Sequence, residues 1–319
     1  MKITPIDASR YAINVRKGPW PEAEPLIMQD EDAACMYAMS LSQGRCPEAE
    51  PVLMKNAKSA YHYAKDVIQG RWPEAEPIIM QADLNLMYLY AENAIKGRWL
   101  EAEPIIMQSA QWAYFYAREI IKGRWLEAEP VIMKDTTYAK FYAHDVIKGR
   151  WPEAEPFIMQ DAYGAYYYAQ EVIKGRWPEA ESVIFSDYKA IDNYLQDYEL
   201  SEVVTILNTY PRAAMWYVLE QRKCIPELEP IILQDARCAF QYANQFINGP
   251  WPAAEKIIMQ DARSGYEYAR RILKKRWPEA EPVIMKDIHF ALEYASYVIK
   301  GPWPEAEAYW LSPSESESP

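Results

Sequence analysis

The sequence predicts an all-α fold: an α-solenoid (superhelix) of about twelve 26-residue repeats, each folded as two helices. Three observations predict it. The phrase K-G-R-W-P-E-A-E-P-x-I-M-x-D recurs along the chain, its key position falling at Trp20, Cys46, Trp72, Trp99, Trp125, Trp151, Trp177, Tyr198, Ile225, Trp251, Trp277 and Trp303. A period of about 20–50 residues is the signature of stacked repeats. Each copy runs on into A-Y-x-Y-A-x-x-V-I, with apolar residues at helical spacing. No single copy can bury its own Trp, Tyr and Ile, so neighbours must stack to do it.

The first helix is read from Asp161 to Gly175. Ala165, Tyr168, Ala169, Val172 and Ile173 make one apolar stripe of a helix. Asp161 is a good N-cap, because its carboxylate can accept from free N–H groups of the first turn. Lys174 lies at the negative end of the helix dipole. Gly175 is expected to take the left-handed conformation that ends many helices. Nine of the 11 glycines hold this place: Gly18, Gly44, Gly70, Gly97, Gly123, Gly149, Gly175, Gly249 and Gly301. Their expected role is backbone geometry.

The second element is shorter. The Pro after each Trp suits a first helical position, where no N–H is required, and Leu100 and Leu126 replace it in two copies. The Glu residues that follow sit favourably near the positive helix end. A second Pro, such as Pro25, Pro77 or Pro156, is awkward inside a helix. It implies either a kink or a tight P-E-A-E turn that leads into a fresh short helix. The alanines beside the core Tyr should let helices approach to ~8–10 Å.

The repeat divides the chain into an N-terminal array, 1–184, of about seven copies; a degenerate stretch, 185–225; and C-terminal copies, 226–310. A polar, acidic tail, 311–319, is expected to be disordered. In 185–225 the period shortens and the Gly terminator vanishes. Such a break is drift, or else a hinge or partner-contact segment released from repeat constraints. On the second reading its acidic and aromatic residues Tyr194, Asp197, Tyr198, Glu199, Glu202 and Trp216 are the candidate partner-binding residues. Elsewhere, specificity should reside in the residues that differ between copies: those after the Asp cap, such as Ala162–Gly164 and Thr136–Tyr138, and Tyr61, Tyr88, Lys140 and Tyr166.

The 319 residues are half hydrophobic and carry a net charge of -12, with a pI of about 5.0. That disfavours non-specific nucleic-acid binding, which needs a basic face, and favours basic partners. One feature runs the other way. Arg71, Arg98, Arg124, Arg150, Arg176 and Arg276 recur in register with Arg45 and could align as a basic stripe along a nucleic-acid backbone. The plainer reading has each Arg pack on Trp and pair with the Glu of E-A-E. The E-A-E carboxylates themselves point about 200° apart on a helix and converge on no substrate.

His62, His144 and His289 lie in distant copies without ligand spacing, so no metal is expected. No phosphate-loop, dinucleotide, nucleophile-elbow or zinc-protease motif occurs. Neither catalysis nor a cofactor is expected. Cys35, Cys46, Cys224 and Cys238 form no C-x-x-C and read as reduced thiols, with a Cys35–Cys46 disulfide as a less supported option. There is no signal peptide and no apolar run long enough for a membrane span, so a soluble, cytoplasmic protein without membrane contact is expected.

Through K-G-R-W-P-E-A-E-P and Y-A-x-x-V-I-K-G, intact at Lys148–Pro156 and nearly so at Lys174–Glu181, the chain resembles uncharacterised tandem-repeat proteins encoded by large tailed phages and other large DNA viruses. The match covers nearly the whole chain except 185–225. The resemblance implies a two-helix repeat fold and a viral origin, and carries no catalytic residues. Architecture and resemblance together point to a non-enzymatic scaffold that binds a protein through its curved surface. For a phage protein that partner would be a host protein, such as a sequestered defence factor, met in the host cytoplasm. The alternative is nucleic-acid engagement, by binding through the Arg stripe or by acidic mimicry of DNA.

Overall fold

The computed structural model describes residues 2–41 and 44–311. Every regular element among them is helical. Two compact units, Met1–Trp177 and Pro178–Pro319, each consist of short and longer helices alternating in repeat order and packed on their sequence neighbours, as in an α-solenoid. The tail expected to be disordered falls outside the described residues, apart from Leu311, which ends the last helix, Pro304–Leu311. No described helix is long and apolar enough to cross a membrane.

The copy beginning at Arg71 represents the rest. Pro73–Ala75 form a tight turn, Glu76–Ile79 a fresh four-residue helix, Leu84–Tyr90 a longer helix, and Ala91–Ile95 a wider π turn. The second Pro therefore starts a new helix rather than kinking an old one. It sits in the first turn, one residue after Glu76, where its missing N–H costs nothing. The chain contains its own control. Where Lys256 and Ala308 replace that Pro, one uninterrupted helix runs over Pro252–Ile258 and over Pro304–Leu311. Ser182 is the exception: the break persists there, between Pro178–Ala180 and Glu181–Ile184.

The Asp caps behave as the sequence implies. Asp135, Asp161, Asp187, Asp235, Asp261 and Asp287 each accept backbone N–H groups of the following turn. In the one 27-residue step of the first unit an extra residue precedes the cap, and Asp83 takes over, accepting from Leu86 N–H at 2.8 Å.

The helix ends correct the sequence reading. The left-handed residue is the one before the glycine position: Lys17, Gln69, Lys96, Lys122, Lys148, Lys174, Asn248, Lys274 and Lys300 have φ between 55° and 62°. With Lys174 so turned, its own N–H and that of Gly175, the latter at 3.2 Å, converge on the Ala169 carbonyl, which opens the last turn from α to π. Gly149 and Gly175 lie outside the left-handed region, and a Cβ on either would meet nothing within 4 Å. Lys223 and Lys275 already stand at this place after the left-handed Arg222 and Lys274.

In the regular copies the core is one Trp, one Tyr and one Ile with alanines between them. Trp72, Trp99, Trp151, Tyr90, Tyr116, Tyr142, Ile79, Ile106 and Ile132 are all essentially inaccessible. Where the following copy carries the Trp, the core Tyr faces it, with ring centroids 5.1 Å apart for Tyr63–Trp72 and 4.9 Å for Tyr90–Trp99.

Candidate functional site

The recurring polar residues are absorbed into one repeated hydrogen-bonded lock. In the copy beginning at Arg98, the guanidinium donates to both Glu103 oxygens, Nε at 2.8 Å and Nη2 at 2.7 Å. The Tyr116 hydroxyl donates to Glu103 at 3.2 Å and accepts the Trp99 backbone N–H at 2.6 Å. The same four groups meet at Arg71–Glu76–Tyr90–Trp72, Arg124–Glu129–Tyr142–Trp125, Arg150–Glu155–Tyr168–Trp151 and Arg276–Glu281–Tyr294–Trp277. Buried carboxylates survive because every oxygen is met by a donor, two of them from one planar fork. Glu281 titrates below the usual carboxylate range: burial opposes this, and the Arg276 and Tyr294 hydrogen bonds outweigh it. The tyrosines shift the other way. Burial, with the neighbouring Glu50 charge adding to it, pushes Tyr63 up to about 12 against its bond from the Cys46 N–H.

The lock determines what the arginine row has to offer. The Arg71, Arg98, Arg124, Arg150 and Arg276 side chains are nearly half exposed, but each is committed to a carboxylate. Arg71 also reaches Glu101 of the next copy at 2.8 Å, and Arg176 is engaged as well. Among the described residues, the left-handed Lys96, Lys122, Lys148 and Lys174, one per copy, protrude and are not seen in an ion pair.

With the shared residues buried or paired, the outer face of the longer helices carries what differs between copies. In the first unit that face is an aromatic row interleaved with charge. Tyr88 lies 5.5 Å from Trp112, Trp112 6.0 Å from Phe115, Phe115 6.4 Å from Tyr138, and Phe141 5.6 Å from Tyr167. Arg118 lies over Tyr114 and Phe115, and Lys140 over Phe141, Tyr163 and Tyr167. Of the variable residues named from sequence, Tyr61 and Lys140 are largely buried within this face, while Tyr88 and Tyr166 are half-buried.

A pocket of about 510 Å³ opens at the end of the row, lined by Arg118, His144, Asp145, Lys148, Glu171 and Lys174 among others. Asp145 is its hub: it accepts from the Tyr114 hydroxyl, meets His144 Nδ1 at 2.6 Å and lies 3.5 Å from Arg118. Burial would raise the Asp145 pKa, yet the Tyr114 and His144 hydrogen bonds hold it below its ordinary value. His144 Nε2 is 4.0 Å from Glu171 of the next copy. The sequence reading treated His144 as solitary. Its partners are one residue away and one whole repeat away, and only the second distance needs the fold to be seen.

In the second unit the stretch 185–225 forms three helices, Tyr188–Leu195, Leu200–Ile206 and Pro211–Gln221. The candidate binding residues separate there. Tyr194 belongs to the core: it is 2% exposed and its hydroxyl donates to Glu181 at 3.4 Å, as in the lock. Glu199 and Glu202 form a reciprocal capping box at the start of Leu200–Ile206, which fixes that helix end. Asp197 is exposed and Tyr198 half-buried, and both have partners. Trp216 is the member that offers a large apolar surface: it is 49% exposed and stacks on the exposed Tyr188 at 5.5 Å. Seventeen residues beyond Tyr198, in the place of the lock tyrosine, stands the buried Met215, so this copy has no hydroxyl to close a lock. All four cysteines are free thiols, ranging from the buried Cys238 to the exposed Cys224.

Compared with protein-family models, with curated proteins and with solved structures, the chain gives no match in any of the three.

Proposed function

We propose that the protein is a non-enzymatic repeat scaffold that binds a protein partner along the outer face of its longer helices, chiefly between Tyr88 and Tyr167. The carrying observation is the partition of side chains. Residues common to the copies are consumed by the core and the lock, while the variable ones place the partly exposed Trp112, Phe115, Tyr138 and Phe141 beside Arg118 and the largely buried Lys140 on the outer face. Rigid aromatics interleaved with cations are the composition of protein–protein hot spots. The viral resemblance makes a host protein, such as a defence factor, the proposed partner, with binding in the host cytoplasm.

Nucleic-acid engagement has weaker support. An arginine row already saturated by glutamates would give up two charge-assisted bonds per phosphate gained, which makes the cap lysines the regularly spaced cations to test. The test is affinity capture from host lysate with and without nuclease, repeated with Trp112→Ala/Phe141→Ala and with Lys122→Gln/Lys148→Gln. A stoichiometric protein that survives nuclease, and is lost with the aromatic pair, supports the scaffold reading. Retention of nucleic acid that falls steeply with salt, and with the lysine pair, would overturn it.

A further inference from the structure

Cys46 stands where the neighbouring copies carry tryptophan. In those copies the indole covers the Tyr–Glu pair of the preceding copy. Trp99 lies 4.9 Å from the Tyr90 ring and its Nε1 donates to Glu76 Oε2 at 3.2 Å. Trp72 lies equally close to Tyr63, although its Nε1 finds no acceptor. At the first junction the corresponding pair is Tyr37 and Glu24, joined by a hydrogen bond of 2.7 Å from the hydroxyl to Oε1. No indole covers this pair, and a cavity of about 540 Å³ lies there instead, lined by Pro19, Glu24, Tyr37, Leu41 and Cys46 among others.

A second substitution coincides with the first. Pro19 occupies the place of the lock arginine, so Glu24 lacks the bidentate guanidinium that saturates Glu76 and Glu103. Its Oε2 has no partner among the described residues. The cavity thus combines the Tyr37 ring, apolar walls from Pro19 and Leu41, a charged rim from Arg45 and Glu48, and a Glu24 carboxylate oxygen open to an N–H donor. The tyrosine ring receives an indole one and two copies further along, and the carboxylate receives its N–H two copies along, at Trp99.

We propose that this cavity is a binding site for an indole ring, seated on Tyr37 and donating its N–H to Glu24. The rest of the junction is already built for that shape. The Tyr37 hydroxyl is fixed between the Trp20 N–H, at 2.6 Å, and Glu24, so the ring that receives the indole is preorganised. Indole can come from two sources, a free indole compound or a tryptophan side chain presented by a polypeptide.

The test is a titration of the full chain with 5-fluoroindole, followed by fluorine NMR, and in parallel with N-acetyl-tryptophanamide, followed by calorimetry. The expected result is saturable one-to-one binding of 5-fluoroindole with a Kd of about 1 mM or tighter. Cys46→Trp, which restores the repeat's own residue, should weaken it by at least about tenfold and raise the Tm. The matching fluorobenzofuran, which lacks the N–H, should bind about tenfold more weakly to the unmodified protein, a comparison independent of any variant. Binding of N-acetyl-tryptophanamide assigns the site to a polypeptide's tryptophan, and binding of 5-fluoroindole alone assigns it to a free indole. Absence of saturable binding, binding unchanged in Cys46→Trp, or equal affinity for the benzofuran would overturn the proposal.

Discussion

Replacing Tyr116 by Phe isolates the lock, because it removes one oxygen and leaves the ring that packs 5.1 Å from Trp125. Two bonds disappear with that oxygen: the one it accepts from the buried Trp99 N–H at 2.6 Å and the one it donates to Glu103 at 3.2 Å. A buried N–H left unpaired costs about 1–3 kcal/mol. The second loss is smaller, about 1 kcal/mol, because Glu103 keeps both bonds from Arg98. The expected destabilisation is therefore about 2–4 kcal/mol, in the upper range for a single substitution. Urea unfolding followed by circular dichroism should show it as a lower midpoint with an unchanged slope. Hydrogen exchange at the Trp99 amide should quicken by more than at amides of distant copies. Tyr163→Phe, at a 54% exposed ring, should stay within about 0.5 kcal/mol of the parent. If the two variants unfold together, the hydroxyl is not structural and the account of the lock fails.

Further expectations follow from the same geometry. Trp125→Ala should cost about 3–5 kcal/mol, read by the same urea assay; a Tm within a degree or two of the parent would remove Trp125 from the core. Gly149→Ala should be neutral or slightly stabilising in thermal melts, since neither φ nor space demands glycine there. At alkaline pH, Tyr63, whose pKa rises to about 12, stays protonated in the fold while unfolded tyrosine ionises near 10, so its contribution is complete below about pH 10 and is lost as pH rises towards 12. Ultraviolet absorbance of tyrosinate, titrated alongside circular dichroism, should therefore rise together with unfolding. At acid pH the sign reverses. Glu281 has a lowered pKa, so its contribution is present above the unfolded value of about 4.3 and is lost as pH falls through the folded one. Arg276→Met should weaken that acid dependence in stability measured between pH 6 and about 3.

Much of this fold is legible because it is local. A repeated Asp, an apolar stripe at helical spacing and a Pro at a helix start each declare themselves within a few residues. The lock is less legible. Glu103 and Tyr116 are 13 residues apart on different helices, and that spacing acquires meaning only when the chain turns back on itself. The spacing was nevertheless available in the degenerate stretch. Glu181 and Tyr194 are 13 apart like Glu103 and Tyr116, Glu129 and Tyr142 or Glu155 and Tyr168, a spacing that places Tyr194 in the core rather than among surface candidates. The left-handed lysines were missed for another reason. Glycine is the residue that best tolerates that conformation, so its presence one residue later drew the assignment onto it, whereas the paired N–H groups on the Ala169 carbonyl hold Lys174 there despite a cost of about 1–2 kcal/mol.

The lock also bears on how such an array can change length over generations. Arg98, Trp99, Glu103 and Tyr116 fall within a single 26-residue stretch, and the next copy supplies mainly an indole and a carboxylate. Excising or duplicating whole intact stretches of this kind rejoins like with like, so the new junction carries the same lock as the one it replaces. Unequal crossing-over between near-identical segments would then yield a folded product wherever it occurs in register. A frame slipped by even a few residues would strand a carboxylate in the core without its guanidinium, and would be purged for that reason.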